Sequence, residues 1–461
     1  MARNDSLVPY PELRGIWRFV QVMLFIFPLL PSWGGVGLIV ALVAIWKQQY
    51  RRIIQRPLNW GLAILSIGLI ITCCFAAQPL DAFLGLANLL PFFALFAAFS
   101  VLIQTPAQLR RIAWLYVLAS VPVVILGFGQ IWGGWTSPEQ LQVVLGWVLQ
   151  ANGNPPGRMA SVFMYANIVA AFLLMVLLLG LGLWVENYQA WRRHSRGHQG
   201  WVLLFLSVVL LGNGLALVLV DSRNAWAVAI LGCLAFALYL GWHGLVAGVG
   251  VVVGSVLWAS FGPPLGREWL REIVPYYFWG RLSDQMYPDR PLPMLRRTQW
   301  EFAWNLTQAH PWTGWGLRNF TALYEAQTGF WFGHPHNLPL MLTAETGIPA
   351  TLLLLGLVGA VLARAVLLLG IWSAVAPTKG GVEWHQDKIM LFAYLVAFGG
   401  CTLFNLLDVT LFDPRVNTFG WLLLAALSGV TYRYRTLLLW RTFKRRQKGR
   451  RDHECLTGTG K

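Results

Sequence analysis

Stretches of roughly 17 to 25 mostly apolar residues recur along this chain, and as a helix each can cross about 30 Å of hydrocarbon. Hydrocarbon offers no water to unpaired backbone amides, so such runs fold as helices and the fold class is all-α. Twelve are read, at 15–31, 33–47, 58–77, 81–104, 110–134, 160–185, 201–220, 223–240, 242–260, 338–371, 388–408 and 416–440. The run 338–371 is long enough to tilt or to break near Pro349. Composition agrees with a polytopic membrane protein: 57% of residues are hydrophobic, 12% are charged and mean hydropathy is +0.56, well outside the soluble range.

Lysine and arginine orient the set, because short loops rich in them stay in the cytoplasm. With twelve alternating spans, four basic clusters share one side with both termini: Lys47, Arg51, Arg52 and Arg56; Arg110 and Arg111; Arg192, Arg193 and Arg196; and the tail from Arg441. The chain is therefore read as one transmembrane domain over residues 1–440 followed by a basic cytoplasmic tail at 441–461. Its net charge of +16 reflects this topology, and no nucleic-acid partner is implied. Ten arginines remain for the outer face: Arg158, Arg223, Arg267, Arg271, Arg281, Arg290, Arg296, Arg297, Arg318 and Arg415. A set made only of arginine suggests bidentate phosphate recognition. Cys73, Cys74, Cys233, Cys401 and Cys455 define no disulfide framework. Gly244, Gly248, Gly250 and Gly254, at close-packing spacing in one run, are expected at a helix contact.

The long polar interruption, residues 261–337, is expected to form a helical extracytoplasmic cap. It ends in His334, Pro335, His336 and Asn337, immediately before an apolar helix. Proline extends the backbone so that both rings can reach a common cavity, and Asn337 is placed to cap the next helix. A zinc site would need a third ligand; His310 is the nearby histidine, the spacing fits no usual zinc pattern, and no metal is expected. Polar residues inside the runs, Asn88, Gln130, Asn167 and Asn213, are uncharged, whereas ion-coupled transporters keep charges near the midplane. Charged residues gather at the outer ends instead, pointing to a cavity under the loop.

The stretch LRRTQWEFAWNLTQAHPWTGWGLRNF, residues 295–320, followed by HPHNLPLMLTAETGIPA, resembles the signature region of the O-antigen ligase and polymerase superfamily. Arg296, Trp300, Pro311, Gly314, Gly316, His336, Asn337 and Gly347 match its pattern in order; Ala350 departs from it where Gly, Thr or Tyr is usual. GRMASVFMYAN, with Arg158, and DSRNAW, with Arg223, are similar to stretches where the family places arginine at the outer membrane edge.

The resemblance implies a C-type glycosyltransferase fold in a bacterial inner membrane, with its active site on the outer face. It implies transfer of a glycan from a polyprenyl-pyrophosphate carrier to a hydroxyl on a lipid-anchored, lipid A-core-like or other acceptor, without cofactor or metal. Arg296 and Arg223 are the expected leaving-group stabilisers, with Arg158 and Arg297 completing the pyrophosphate set, and His336 is the expected base. His334, Asn337, Glu345 and Arg318 are expected in support: Glu345 to hold the imidazole tautomer or cap a polar pocket, Arg318 to pair with Glu325. Ligase is preferred to polymerase. The alternative from another class, suggested by similar cyanobacterial proteins, is a role in bicarbonate uptake.

Overall fold

The computed structural model describes residues 9–194, 197–283, 285–286, 289, 291–374 and 381–435, which places the 441–461 tail and Arg290 outside the described residues. Among the described residues eighteen α-helices follow one another: α1 (Arg14–Ile26), α2 (Pro31–Ile54), α3 (Pro57–Cys73), α4 (Pro79–Gly85), α5 (Leu90–Leu102), α6 (Pro106–Trp132), α7 (Gln142–Leu145), α8 (Ala166–His194), α9 (Gly197–Val220), α10 (Arg223–Tyr239), α11 (His243–Phe261), α12 (Pro264–Ile273), α13 (Tyr276–Leu282), α14 (Arg296–Ala309), α15 (Asn319–Thr328), α16 (Leu338–Ala374), α17 (Gly381–Phe404) and α18 (Pro414–Arg433). No β-strand occurs among the described residues.

Each of the twelve apolar runs is mainly helical over its described residues, that of 81–104 being divided into α4 and α5 by a single 3-10 turn; 436–440 of the last run lie outside the described residues. Length and apolarity alone qualify seven described helices to cross a bilayer, or eight if α2 and α3, bent by 107°, count as one broken span. The figure of twelve spans is therefore larger than helix length and apolarity support. α1 is 13 residues and α10 is 17. α18 is long enough, but Arg415 through Leu427 is buried almost throughout, and a helix surrounded by protein has no need of uniform apolarity.

α8 lies at the centre, with 83% of its most apolar window buried, against 28% for α9 and 11% for α11. Tyr116, Phe172 and Phe419 stack where α6, α8 and α18 meet. Large apolar side chains such as Val36, Ile39, Val43, Ile64 and Ile67 face outward, a surface suited to lipid. The glycines of α11 do not make the expected contact: a Cβ at 244, 248, 250 or 254 would meet nothing within 4 Å.

α16 breaks as expected next to Pro349, at Gly347, whose φ of +80° and ψ of 164° only glycine adopts readily. A strap formed by residues 311–316 crosses the break and takes up the backbone groups it frees. Trp315 N donates to Ala344 O, Gly316 N to Glu345 O and Ile348 N to Pro311 O, at 2.8–2.9 Å. A Cβ on Gly314 would lie 2.3 Å from the Glu345 carbonyl carbon, and one on Gly347 would lie 2.4 Å from Trp312 O. Four of the matching motif residues, Pro311, Gly314, Gly316 and Gly347, thus serve one backbone crossing.

Candidate functional site

His336 sits where α16 begins, with a left-handed backbone (φ +53°) that is uncommon for residues other than glycine and is tolerated best by Asn, Asp and His. Three contacts fix it. The indole of Trp300, on α14, donates to Pro335 O at 2.9 Å. Asn337 caps α16, accepting from Leu340 N at 2.9 Å and donating to Leu406 O at 3.1 Å. The His336 N–H donates to Nδ1 of His334 at 3.1 Å.

Opposite the ring lies Asp408, in the segment between α17 and α18. His336 Nδ1 is 3.2 Å from Asp408 Oδ1, and only 5% of the Asp408 side chain is exposed. Burial raises the proton affinity of this carboxyl, but the hydrogen bond and charge of His336 and the Val409 N–H, 2.9 Å away, outweigh it and hold Asp408 below the usual carboxylate range. An ionised carboxylate only accepts, so neutral His336 carries its hydrogen on Nδ1 and turns the lone pair of Nε2 outward. Asp408 is the member of this cluster that sequence reading did not single out. It was visible only as a charge at the end of an apolar run, 72 residues beyond His336, and no local spacing links the two.

Nε2 of His334 lies 3.7 Å from the same Asp408 oxygen, and the three residues have the proximity of a cation site. The donor set does not fit one. Because His334 Nδ1 accepts the His336 N–H, a neutral His334 carries its hydrogen on Nε2, toward Asp408, and has no lone pair there for an ion. Burial, followed by the neighbouring His336, pushes His334 down to about 4, so it stays neutral. His310 is not in this group; it packs edge-on against Trp315.

His334 and His336 line an open cavity of about 800 Å³ together with Tyr165, Trp331, Phe332 and Phe412 and the charged Asp81, Arg318 and Glu325. Arg318, in a left-handed backbone at the start of α15, shares the cavity with Glu325 without forming the expected ion pair. Glu345 does not reach the imidazole: it is buried beneath α15 and accepts from Phe320 N at 3.3 Å. Arg296 opens α14 close enough to His334 and Tyr165 to act on both electrostatically. Arg223 opens α10, donating to the Arg281 carbonyl, while Asn224 beside it donates to Phe404 O at 2.8 Å and ties α10 to the end of α17. Arg297 points away, exposed and paired with Glu301 at 2.7 Å. Arg158 donates to Val220 O at 3.0 Å and to Asn167 Oδ1 at 2.6 Å. Of the aromatic residues in the cap, Trp331 and Phe332 line the cavity, whereas Trp279, Trp300 and Trp315 donate to the carbonyls of Val274, Pro335 and Leu306.

Fold and site together define an all-helical polytopic membrane protein with a carboxylate-bound histidine at the mouth of an open cavity, between the ends of its helices. Residues 206–355, about a third of the chain, match the family model described as O-antigen ligase, so this part of the chain is similar to that family. The match includes Arg223, Arg296 and His336 and excludes Arg158, Asn167 and Asp408. No curated protein matches the chain.

Proposed function

We propose that the protein transfers a glycan from a polyprenyl-pyrophosphate carrier to an acceptor hydroxyl, with His336 as the base. The observation that carries this reading is the Asp408–His336 pair at the edge of the cavity, within a chain similar in part to this family. The acceptor oxygen attacks the anomeric carbon as the bond to the pyrophosphate breaks, and one displacement inverts that centre. The hydroxyl proton passes to His336 Nε2, and Asp408 stabilises the imidazolium. The bonding electrons leave with the pyrophosphate. Arg296 and Arg223 supply positive charge as its negative charge grows, without an ion. An apolar groove between α16, α17 and α18, with Leu338 and Asn405 at its head, supports a lipid-linked substrate.

The test is transfer by purified protein in detergent with EDTA, comparing wild type, His336→Asn and Asp408→Asn. Asparagine tolerates the left-handed backbone at 336, so that variant separates loss of the base from loss of fold. Expected is transfer that survives EDTA, is abolished in His336→Asn and falls by about 10²-fold or more in Asp408→Asn. Normal turnover in His336→Asn would remove the proposed base.

A further inference from the structure

Arg158 was expected among the pyrophosphate ligands, but its guanidinium is turned into the protein. Nε donates to Val220 O, at the end of α9, and Nη2 donates to Asn167 Oδ1 at 2.6 Å. Asn167, in the first turn of α8, then donates from Nδ2 to Asp408 Oδ2, also at 2.6 Å. The other Asp408 oxygen holds His336. Arginine only donates and an ionised carboxylate only accepts, so the Asn167 amide between them has one possible orientation. The order Arg158, Asn167, Asp408, His336 is therefore a directed chain of hydrogen bonds.

We propose that Arg158 and Asn167 are positioning residues for the base, setting the orientation of Asp408 and the negative potential it presents to His336, and that Arg158 is not a ligand of the donor pyrophosphate. The proposal rests on His336 being the base, as argued above. Asp408 is 4% exposed, and a carboxylate so deep needs every donor it has: His336, the Val409 N–H and Asn167. The Asn167 amide, polarised by the guanidinium behind it, draws negative potential off the carboxylate. Without it Asp408 holds the shared proton harder, and His336 gives up its proton only at higher pH.

Other charged and titratable groups surround His336. His334 touches it, Arg296 acts on His334 and Tyr165, and Tyr165, Asp81, Arg318 and Glu325 line the same cavity. None of these is replaced in the variants, but Tyr165 feels the Arg158 charge, so Asn167→Ala, which leaves every charge in place, is the variant whose shift reports the chain through Asp408 alone. A guanidinium that instead bound pyrophosphate would change the KM for donor and leave the imidazole's titration where it was.

Two measurements on the full chain separate these cases, using wild type, Asn167→Ala and Arg158→Met. The first follows the rate of diethyl pyrocarbonate modification of His336 against pH, read by mass spectrometry on the peptide that contains it; no turnover is needed. The second is the pH profile of transfer, with KM for the lipid-linked donor. Expected is a rise of about half a pH unit or more in the His336 midpoint and in the acidic limb for both variants, with donor KM changed less than about twofold. Unchanged His336 titration in either folded variant overturns the proposal, as does a raised donor KM without a pH shift. If the midpoint shifts but no transfer occurs in wild type, the positioning chain stands and the glycan-transfer reading falls.

Discussion

At the residue scale, His334 separates a structural histidine from a reacting one. His334 spends its Nδ1 lone pair on the His336 amide and stays neutral, while His336 keeps Nε2 open to the cavity. The sequence made the pair visible but not the division of labour, which depends on Asp408 arriving from a distant segment. The pH consequence follows from the sign of the shift. In the folded protein His334 titrates at about 4, below its ordinary 6.5, so as pH falls the unfolded chain takes up the proton first. Stability therefore declines from about pH 6.5 to about 4 by on the order of 3 kcal/mol, and below that this group adds no further loss. Asp408, held below its ordinary 3.8, contributes its loss only under that window. His334→Asn, whose amide oxygen can still accept the His336 N–H, should flatten the decline. Melting temperatures in detergent between pH 7.5 and 4.5 check this, and an equal slope in the two proteins would contradict it.

At the element scale, the break in α16 and the strap across it explain why the signature combines glycines with an Arg–Trp pair. Gly314, Gly316 and Gly347 were legible as motif residues, but their partnership was not, since it joins backbone segments about 30 residues apart by atoms that carry no side-chain signal. Glu345 shows the same limit. Its place after the His–Asn pair suggested contact with the imidazole, yet the strap turns it under α15. Two substitutions should therefore fail differently. Gly347→Ala forces a Cβ against Trp312 O in a conformation reserved for glycine, and should cost about 2 kcal/mol or more, seen as lost monodisperse protein. Trp300→Phe keeps the packing and removes the donor to Pro335 O, so it should leave melting within a few degrees while lowering transfer by about tenfold. Equal losses of fold in both would show that Trp300 serves packing alone.

At the scale of the whole molecule, the contacts sort the arginines by end. Arg158, Arg223, Arg281 and Arg415 engage the ends of helices around His336 and Asp408. Arg56 and Arg110 lie at the opposite ends: Arg56 donates to Ser100 O, and Arg110 bridges Glu186 of α8 and Asp387 of α17 at 2.6 and 3.3 Å. Charge bias along the chain carried this division, whereas bending and burial, which reduce the number of qualifying spans, are set by tertiary packing that hydropathy does not encode. Arg110 also changes its role. Reading the sequence makes it a harmless loop cation and Arg110→Ala a neutral control, but Glu186 is only 6% exposed and loses its partner in that variant. Arg110→Ala should therefore lower stability by about 2 kcal/mol, measurable as a lower melting temperature, while the pH profile of transfer per folded molecule stays unchanged. Arg111, which is exposed and donates to the half-buried Gln21 side chain, is the better control.

The same sorting makes the orientation testable without any activity. Positive residues kept in the cytoplasm would put the Arg56–Arg110 end inside and the cavity outside. In a cysteine-free background, a single cysteine replacing the exposed Trp331 at the cavity should react with a membrane-impermeant maleimide from outside intact spheroplasts, and one replacing exposed Arg111 should react only after the membrane is opened. The reverse pattern would put the cavity in the cytoplasm, where an acceptor assembled on the outer surface could not reach His336. Glycan transfer on that surface would then be excluded even if the Asp408–His336 geometry were correct in every detail.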